Sequence, residues 1–289
     1  MTKIAKRVLF GALLIAAVLG ILAAEHVLGR SGGAWTGLVL ACAFAALAPL
    51  AYWEWRGLSG AVGARALPAS GLLLSAALAA MPWWWGRLLS APADADLLPA
   101  ALLVAVVGLA GAFAEQMFTR QTRGALLNVA VTVFGAVYLG GCAALVLWLR
   151  LRLGLPALVL FLAAVKGTDI GAYFTGTAIG KHKLIPWLSP GKSWEGLAGG
   201  LAAGALVAIA CTAVYPVTAL SPLAAGLFGL IVGAAGQFAD LCESLLKRSA
   251  DVKDSGQLVP EFGGLLDMLD SPLLAAPAAV IALPILAGG

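Results

Sequence analysis

Acidic and basic side chains are concentrated in one short part of this chain. The 289-residue chain has 18 basic and 14 acidic residues. Ten of these charged residues lie between Asp240 and Asp270. Asp240, Glu243 and Lys247 recur at helical spacing and therefore share one helix face. After a glycine-containing stretch, Asp267 and Asp270 are again three residues apart. Carboxylates beside cationic groups suit Mg²⁺ and a phosphate-bearing substrate; a solvated charged loop is the alternative that these residues leave open.

A second polar region, residues 166–196, precedes this segment. Lys166 and Asp169 lie near the end of an apolar run, where they either form an ion pair within one helix or border a polar cavity. Three lysines that follow have cationic groups suited to phosphate oxygens: Lys181, Lys183 and Lys192. Three glycines, Gly167, Gly171 and Gly176, are expected to loosen the helix around Asp169.

The elements that position these residues are predicted to be membrane-spanning helices. The chain is 62% hydrophobic and 11% charged, whereas soluble domains carry about 25% charged residues. Apolar runs of about 20 residues cross the bilayer as helices, because lipid offers the backbone no hydrogen-bond partners. We predict an all-α, polytopic integral membrane protein with about nine transmembrane helices. The predicted spans are roughly 8–24, 33–53, 68–84, 97–114, 125–149, 155–175, 197–217, 222–239 and 272–287.

The distribution of basic residues predicts a cytoplasmic N-terminus. With nine spans, 13 Lys and Arg residues fall on the cytoplasmic side and 4 on the opposite side. Membrane orientation therefore accounts for the net charge of +4, which is no argument for nucleic-acid binding. The first apolar run is expected to be an uncleaved helix rather than a signal peptide. We predict an N-terminal region, 1–154, with about five spans, and a catalytic region, 155–289. Its cytoplasm-facing polar cavity is formed by 166–196 and 240–271.

The two polar regions resemble a known family. Ser244 to Gly256 reads SLLKRSADVKDSG, and Pro260 to Asp270 follows the pattern P-x-x-G-G-x-x-D-x-x-D. This order is similar to the signature of phosphatidate cytidylyltransferases, the CDP-diacylglycerol synthases. Upstream, GAYF, GKHKL, SP and WEG fall where that family has its other shared block, so that the resemblance covers about 105 residues.

The resemblance implies that CTP and phosphatidic acid react to give CDP-diacylglycerol and pyrophosphate in phospholipid biosynthesis. It further implies a multi-pass protein of the cell (inner) membrane with its active site facing the cytoplasm. The implied cofactor is Mg²⁺, with room for a second cation such as K⁺, and a homodimer is one implied state. The implied metal ligands are Asp240 and Asp267, with Lys253 and Asp254 as further catalytic residues. The phosphate-binding set is Ser244, Lys247, Arg248, Lys181, Lys183 and Lys192, and the cavity set is Asp169, Asp270 and Glu243.

The sequence departs from the family pattern at two places. Glu261 and Phe262 stand where the family has Gly and His, and Met268 stands where it has Arg. If the missing side chains contact phosphate, each lost charge-assisted bond costs about 1.5–3 kcal/mol of binding. The first alternative is therefore a divergent enzyme that uses another lipid phosphate or nucleotide. The second is a non-enzymatic membrane transporter or structural protein, with Lys166 and Asp169 on an ion path.

Overall fold

Helices dominate the computed structural model, which describes residues 3–30, 35–88, 97–214, 220–256 and 263–288. The elements are α1 (Lys3–Gly29), α2 (Leu38–Ala61), α3 (Pro68–Leu88), α4 (Leu98–Thr119), α5 (Ala125–Ala136), a π-helical turn (Val137–Gly141), α6 (Cys142–Ile179), β1 (Lys183–Ile185), β2 (Ser189–Ser193), α7 (Trp194–Val214), α8 (Pro222–Ser249) and α9 (Leu265–Leu286).

The prediction of a polytopic helical membrane protein is confirmed. Within the described residues, seven helical stretches are long and apolar enough to cross a membrane. One of them, Ala125–Ile179, contains 55 residues and includes α5, the π-helical turn and α6. Its backbone is non-helical at Gly154, with φ 86° and ψ 172°, just before Pro156. The number of nine spans stays a prediction.

The chain forms two compact units. The first unit contains Met1–Leu151 and Ser249–Met268, and the second contains Arg152–Arg248 and Leu269–Gly289. Helices α6, α8 and α9 each contribute to both units, because the boundaries fall inside them. The division predicted from sequence separates an N-terminal region, 1–154, from a catalytic region, 155–289. It concerns which part carries the activity and stays a prediction.

In the first unit, hydrogen bonds from side chains of α2 join this helix to neighbouring segments. The Tyr52 hydroxyl donates to the Leu67 carbonyl at 2.9 Å, and Trp55 Nε1 donates to the Val131 carbonyl at 2.9 Å. Leu67 also packs in a buried cluster with Ala112 and Val129. Since lipid offers no hydrogen-bond partners, such internal bonds satisfy polar groups that would otherwise cost several kcal/mol.

Glycines of α6 and α7 bring these two helices into close contact in the second unit. Gly200 is buried, and a Cβ added there would lie 2.7 Å from the Ala172 Cβ and 2.8 Å from the Thr168 carbonyl oxygen. A Cβ on Gly171 would lie 2.3 Å from that of Ala203. Helix α6 continues through Gly171 to Ile179. The expectation that the glycines loosen this helix is therefore wrong, because they serve close helix packing.

A short antiparallel hairpin lies between α6 and α7 and was not predicted. Strands β1 and β2 pair with Lys183 opposite Ser193 and Ile185 opposite Ser189. The Trp194 amide continues the pairing by donating to the His182 carbonyl at 2.9 Å. Strands of three and five residues carry no hydrophobic periodicity that a sequence could reveal, since Pro190 and Gly191 favour a loop.

Candidate active site

A chain of polar contacts joins α6, β2 and α8 in the second unit. Lys192 Nζ lies 2.7 Å from Asp240 Oδ2 and donates to Gln237 Oε1 at 3.1 Å. Gln237 Nε2 in turn donates to Asp169 Oδ1 at 3.0 Å. The second oxygen of Asp169 lies 3.2 Å from Lys166 Nζ. Three of these four contacts join residues 45 or more positions apart and link α8 to the region 166–196, and the fourth lies within α6.

Lys166 and Asp169 were predicted either to form an ion pair within one helix or to border a polar cavity, and the network contains features of both. The ion pair within α6 is present, but the Asp169 carboxylate also accepts from Gln237 on α8. The side chains of Lys166 and Asp169 are 49% and 27% exposed, and that of Asp240 is 35% exposed. The pair therefore belongs to a larger polar group that a phosphate ligand can reach.

Two buried carboxyl groups extend this polar group. Glu243 is fully buried and lies 3.4 Å from Lys247 Nζ, one helical turn further along α8. Asp270 on α9 is 6% exposed and interacts with Glu243, Asp240 and Lys166. Burial of several carboxylates is costly without cationic partners. The predicted cavity residues Asp169, Glu243 and Asp270 thus lie in one cluster with lysines from α6, β2 and α8.

The other predicted phosphate-binding residues of this unit lie at two places. Ser244 and Arg248 are on the last two turns of α8, where Arg248 is exposed. Lys181 and Lys183 border an open cavity of about 810 Å³ beside the hairpin. Glu195 at the start of α7 accepts from the Lys181 backbone amide at 3.2 Å and contacts His182. The turn that carries both lysines is therefore held by a carboxylate.

Asp267 lies in the first unit, on the first turn of α9. Its Oδ2 accepts from the Ser255 amide at 2.9 Å, the Ser255 hydroxyl at 3.0 Å and the Gly264 amide at 2.7 Å. These donors fix the orientation of the carboxylate relative to the start of the helix. A bond from the residue preceding a helix to a carboxylate in its first turn is typical of helix capping.

Glu54 of α2 completes the start of α9. Its Oε1 accepts from the Leu265 amide and its Oε2 from the Leu266 amide, both at 2.9 Å, and the Ser255 hydroxyl lies 3.3 Å from Oε2. The first amide groups of a helix have no partner within the helix, and negative charge is favourable there. Glu54 therefore stabilises the turn that holds Asp267.

The two glycines before α9 are explained by the same contacts. Gly263 has a φ of 92°, a conformation that residues with a side chain rarely adopt. A Cβ on Gly264 would lie 2.2 Å from the Ser255 hydroxyl oxygen and 2.5 Å from Glu54 Oε2. The Gly-Gly pair of the signature thus allows the carboxylates of Glu54 and Asp267 to approach the backbone.

Glu54 was missed by the sequence reasoning. It is 201 residues from Ser255 and belongs to a helix in which the other charged residue is Arg56. An ionisable residue within a membrane-spanning helix marks a functional or structural site by default, and that was the available signal. Its partners, Ser255 and the first amides of α9, are too distant in sequence for any local spacing pattern to indicate them.

The two predicted metal ligands belong to different compact units, Asp240 to the second and Asp267 to the first. Among the described residues, no group of three or more His, Cys, Asp or Glu side chains is arranged to hold a metal ion. Mg²⁺ is commonly held by one or two carboxylates together with substrate phosphates, so a smaller set is compatible with it. Asp240 fits such a role, because its carboxylate is partly exposed and supplies a hard oxygen ligand.

The remaining predicted residues follow α8. Lys253 and Asp254 are exposed and make no hydrogen bond or ion pair within the described part of the chain. Glu261 and Phe262, where the sequence departs from the family signature, lie outside the described residues. Met268 is half-buried on the first turn of α9, directly after Asp267.

Comparison with known proteins agrees with the resemblance. The model of the cytidylyltransferase family matches residues 5–286, and the chain therefore belongs to that family. A phosphatidate cytidylyltransferase of Mycobacterium bovis is 35% identical over 202 residues, covering 64% of this chain and 62% of the relative. That of Bacillus subtilis is 37% identical over 155 residues, covering 52% and 56%. The uncharacterized protein YnbB of Escherichia coli is 44% identical over 122 residues, covering 42% and 40%.

The matches cover part of each relative. The chain spans about 62% of the length of the M. bovis relative and 56% of that of the B. subtilis relative. The predicted family is confirmed. The activity and substrates of the whole protein are argued below from the polar cluster.

Proposed function

We propose that this member of the cytidylyltransferase family converts CTP and phosphatidic acid to CDP-diacylglycerol and pyrophosphate. The observation that carries the proposal is the cluster around Asp240, in which α6, β2 and α8 bring together lysines and carboxylates. Ionisable groups at membrane depth are costly unless they are paired or face a polar cavity, and by default they mark a functional site. The names of the curated relatives support CTP and phosphatidate as the substrates.

In this reaction the lipid phosphate attacks the α-phosphorus of CTP in line, and pyrophosphate leaves. A phosphate monoester is already a nucleophile near pH 7, so positioning and charge neutralisation are the main requirements. Lys192 is held 2.7 Å from Asp240 and 3.1 Å from Gln237, and we assign it to bind phosphate oxygens when substrate enters. Lys166, paired with Asp169, and Lys247, paired with Glu243, would offset further negative charge.

We also propose Asp240 as a Mg²⁺ ligand. Its partly exposed carboxylate supplies the hard oxygen that this ion prefers, and Lys192 would exchange its contact with Asp240 for one with substrate phosphate when the ion binds. Mg²⁺ bound there would neutralise nucleotide phosphates. The role of Asp267 as a ligand, the roles of Lys253 and Asp254, a second cation such as K⁺ and a homodimer stay predictions from the resemblance.

Nine spans with a cytoplasmic N-terminus are part of the proposal. The 55-residue stretch Ala125–Ile179 would be about 80 Å long as one helix, whereas a single crossing needs about 30 Å. Counting it as two spans on either side of Gly154, and adding α3, gives nine. The 13 to 4 distribution of basic residues then supports a cell-membrane protein with its active site facing the cytoplasm.

The experiment is a reconstituted assay with matched substitutions. The purified protein in detergent micelles receives CTP, phosphatidic acid and Mg²⁺, and both pyrophosphate and CDP-diacylglycerol are measured. Asp240→Asn is expected to lower kcat/KM at least about 100-fold, because even indirect partners of a metal contribute 10- to 100-fold. Asp251→Asn is the control, since Asp251 is exposed with a φ of 55°, which Asn tolerates.

The outcomes separate the candidate functions. Equal loss in both variants, or no product from the wild type with any nucleotide, would contradict the proposal. Product from another nucleotide or another lipid phosphate would favour the divergent enzyme, which Met268 in place of the family's Arg supports. Ion flux through proteoliposomes without any transferase activity would favour the transporter.

A further inference from the structure

We propose that the first unit contains a binding site for an anionic phospholipid. A cavity of about 680 Å³ lies where the loop between α2 and α3 meets the loop between α4 and α5. Its volume is in the range of small-molecule sites. The lining residues are Gly63, Arg65, Thr119, Arg120, Gln121, Arg123, Gly124 and Asn128. Three of these eight residues are arginines, and none is acidic.

A buried pair of amide side chains holds both loops in place. Asn128 Oδ1 accepts from the Arg65 amide at 2.8 Å, and Asn128 Nδ2 donates to Gln116 Oε1 at 3.1 Å. Gln116 Nε2 donates to the carbonyls of Gln121 and Arg123, both at 3.0 Å. Gln116 and Asn128 are 2% and 4% exposed. The arginines are therefore carried by a preorganised frame, which reduces the entropy cost of binding.

The arginines give the cavity a positive charge. The guanidinium groups of Arg65, Arg120 and Arg123 form no ion pair within the described residues. The neighbouring carboxylate, Glu115, is occupied at the start of α3, where it accepts from the Ser70 amide and hydroxyl at 2.7 Å each. Planar guanidinium groups bind phosphate through paired hydrogen bonds. Phosphate is accordingly the chemical group that the cavity fits.

Apolar side chains beside the cavity favour a lipid over a free phosphate or nucleotide. Phe118 and Leu126, on either side of the loop between α4 and α5, are 87% and 88% exposed. Phe118 directly precedes the lining residue Thr119, and Leu126 follows the lining residue Gly124 by two positions. A ligand with a phosphate headgroup and acyl chains could therefore contact both the arginines and these apolar side chains. Basic pockets between membrane helices on the cytoplasmic side bind anionic headgroups. The assignment of the site to the cytoplasmic leaflet depends on the topology proposed above, whereas the site itself does not.

The test measures binding of dioleoyl-phosphatidylglycerol to the purified full chain in detergent by native mass spectrometry. Dioleoyl-phosphatidylcholine is the zwitterionic comparison. Replacing two arginines by glutamine, Arg120→Gln with Arg123→Gln, is expected to weaken phosphatidylglycerol binding about 30-fold, with little change for phosphatidylcholine. The matched control is Arg30→Gln with Arg87→Gln, which removes two exposed guanidinium groups outside the cavity and is expected to leave binding unchanged.

Further variants keep the inference testable. Arg65→Gln alone is expected to weaken binding about 5-fold, which covers the case in which the double variant does not fold. Arg120→Lys with Arg123→Lys retains the charge and is expected to lose less affinity than the glutamine pair. Equal affinity of the glutamine pair and its control, equal binding of both lipids by the wild type, or displacement of the lipid by inorganic phosphate would overturn the proposal.

Discussion

Replacement of Glu54 by glutamine tests the contact between α2 and the start of α9. The Glu54 carboxylate accepts from the Leu265 and Leu266 amides at 2.9 Å and lies 3.3 Å from the Ser255 hydroxyl. Glutamine keeps one acceptor oxygen but loses the second and the negative charge. Loss of a helix-capping group costs about 0.5–2 kcal/mol, and helix-dipole interactions contribute about 0.3–1 kcal/mol. We therefore expect the free energy of unfolding to fall by about 1–2 kcal/mol.

The measurement combines thermal unfolding with activity. For a chain of this size, about 1 kcal/mol corresponds to roughly 2–4 °C in Tm, so Glu54→Gln should lower Tm by about 3–6 °C. If Asp267 binds Mg²⁺, the same substitution should reduce kcat/KM about 10- to 100-fold and raise the Mg²⁺ concentration needed for half-maximal activity. The reason is that Ser255, which lies beside Glu54, also orients the Asp267 carboxylate.

Glu115→Gln is the matched control, because Glu115 holds the start of α3 in the same manner. It accepts from the Ala69 amide at 3.1 Å and the Ser70 amide at 2.7 Å. This substitution should lower Tm similarly and leave the Mg²⁺ requirement unchanged. The reasoning is refuted if both variants show the same decrease in Tm, the same decrease in activity and the same Mg²⁺ requirement. Glu54 would then have no specific role in positioning Asp267.

Four further predictions concern the cluster, the helix packing, the helix propensity of α2 and the topology. Lys192→Met should raise the KM for CTP at least about 10-fold by removing a charge-assisted phosphate contact, and an unchanged KM in steady-state kinetics would contradict its assignment. Gly200→Val should lower the free energy of unfolding by at least about 1–3 kcal/mol, because the Cβ alone would overlap Ala172. Gly57→Ala, with no atom within 4 Å of the added Cβ, should instead stabilise α2 by about 0.5–1 kcal/mol in the same denaturation assay. Single cysteines at positions 120 and 87 of a chain without its own cysteines should react with a membrane-impermeant reagent from opposite sides, and labelling from one side would contradict nine spans.

Sequence patterns were sufficient for the class of protein and for its family. Apolar runs of helical length and the ordered signature from Ser244 to Asp270 are local features, and both the helical membrane protein and the family are confirmed. The end of α8 and the start of α9 also follow local signals, since the glycines around the signature loop interrupt helical structure. Helix spacing likewise placed Glu243 and Lys247 on one face, where they form an ion pair.

Other features depend on contacts that no local pattern encodes. The glycines of α6 suggested a loosened helix, because a sequence shows only that a side chain is missing and not which neighbour fills the space. Lys192 was one of three similar lysines, and its contacts with Gln237 and Asp240 arise because the hairpin folds against α8. A two-stranded hairpin with a proline and a glycine in one strand has no periodic signal.

The sequence by itself determined that this is a helical membrane protein of the cytidylyltransferase family, because composition and an ordered motif are properties of the linear chain. The tertiary structure decided which groups surround the predicted residues. Glu54 reaches the amides of α9 across more than 200 residues, and two buried amide side chains join loops that are over 50 residues apart. Buried polar groups in a membrane must find partners within the protein. Only the folded arrangement shows which partners these are.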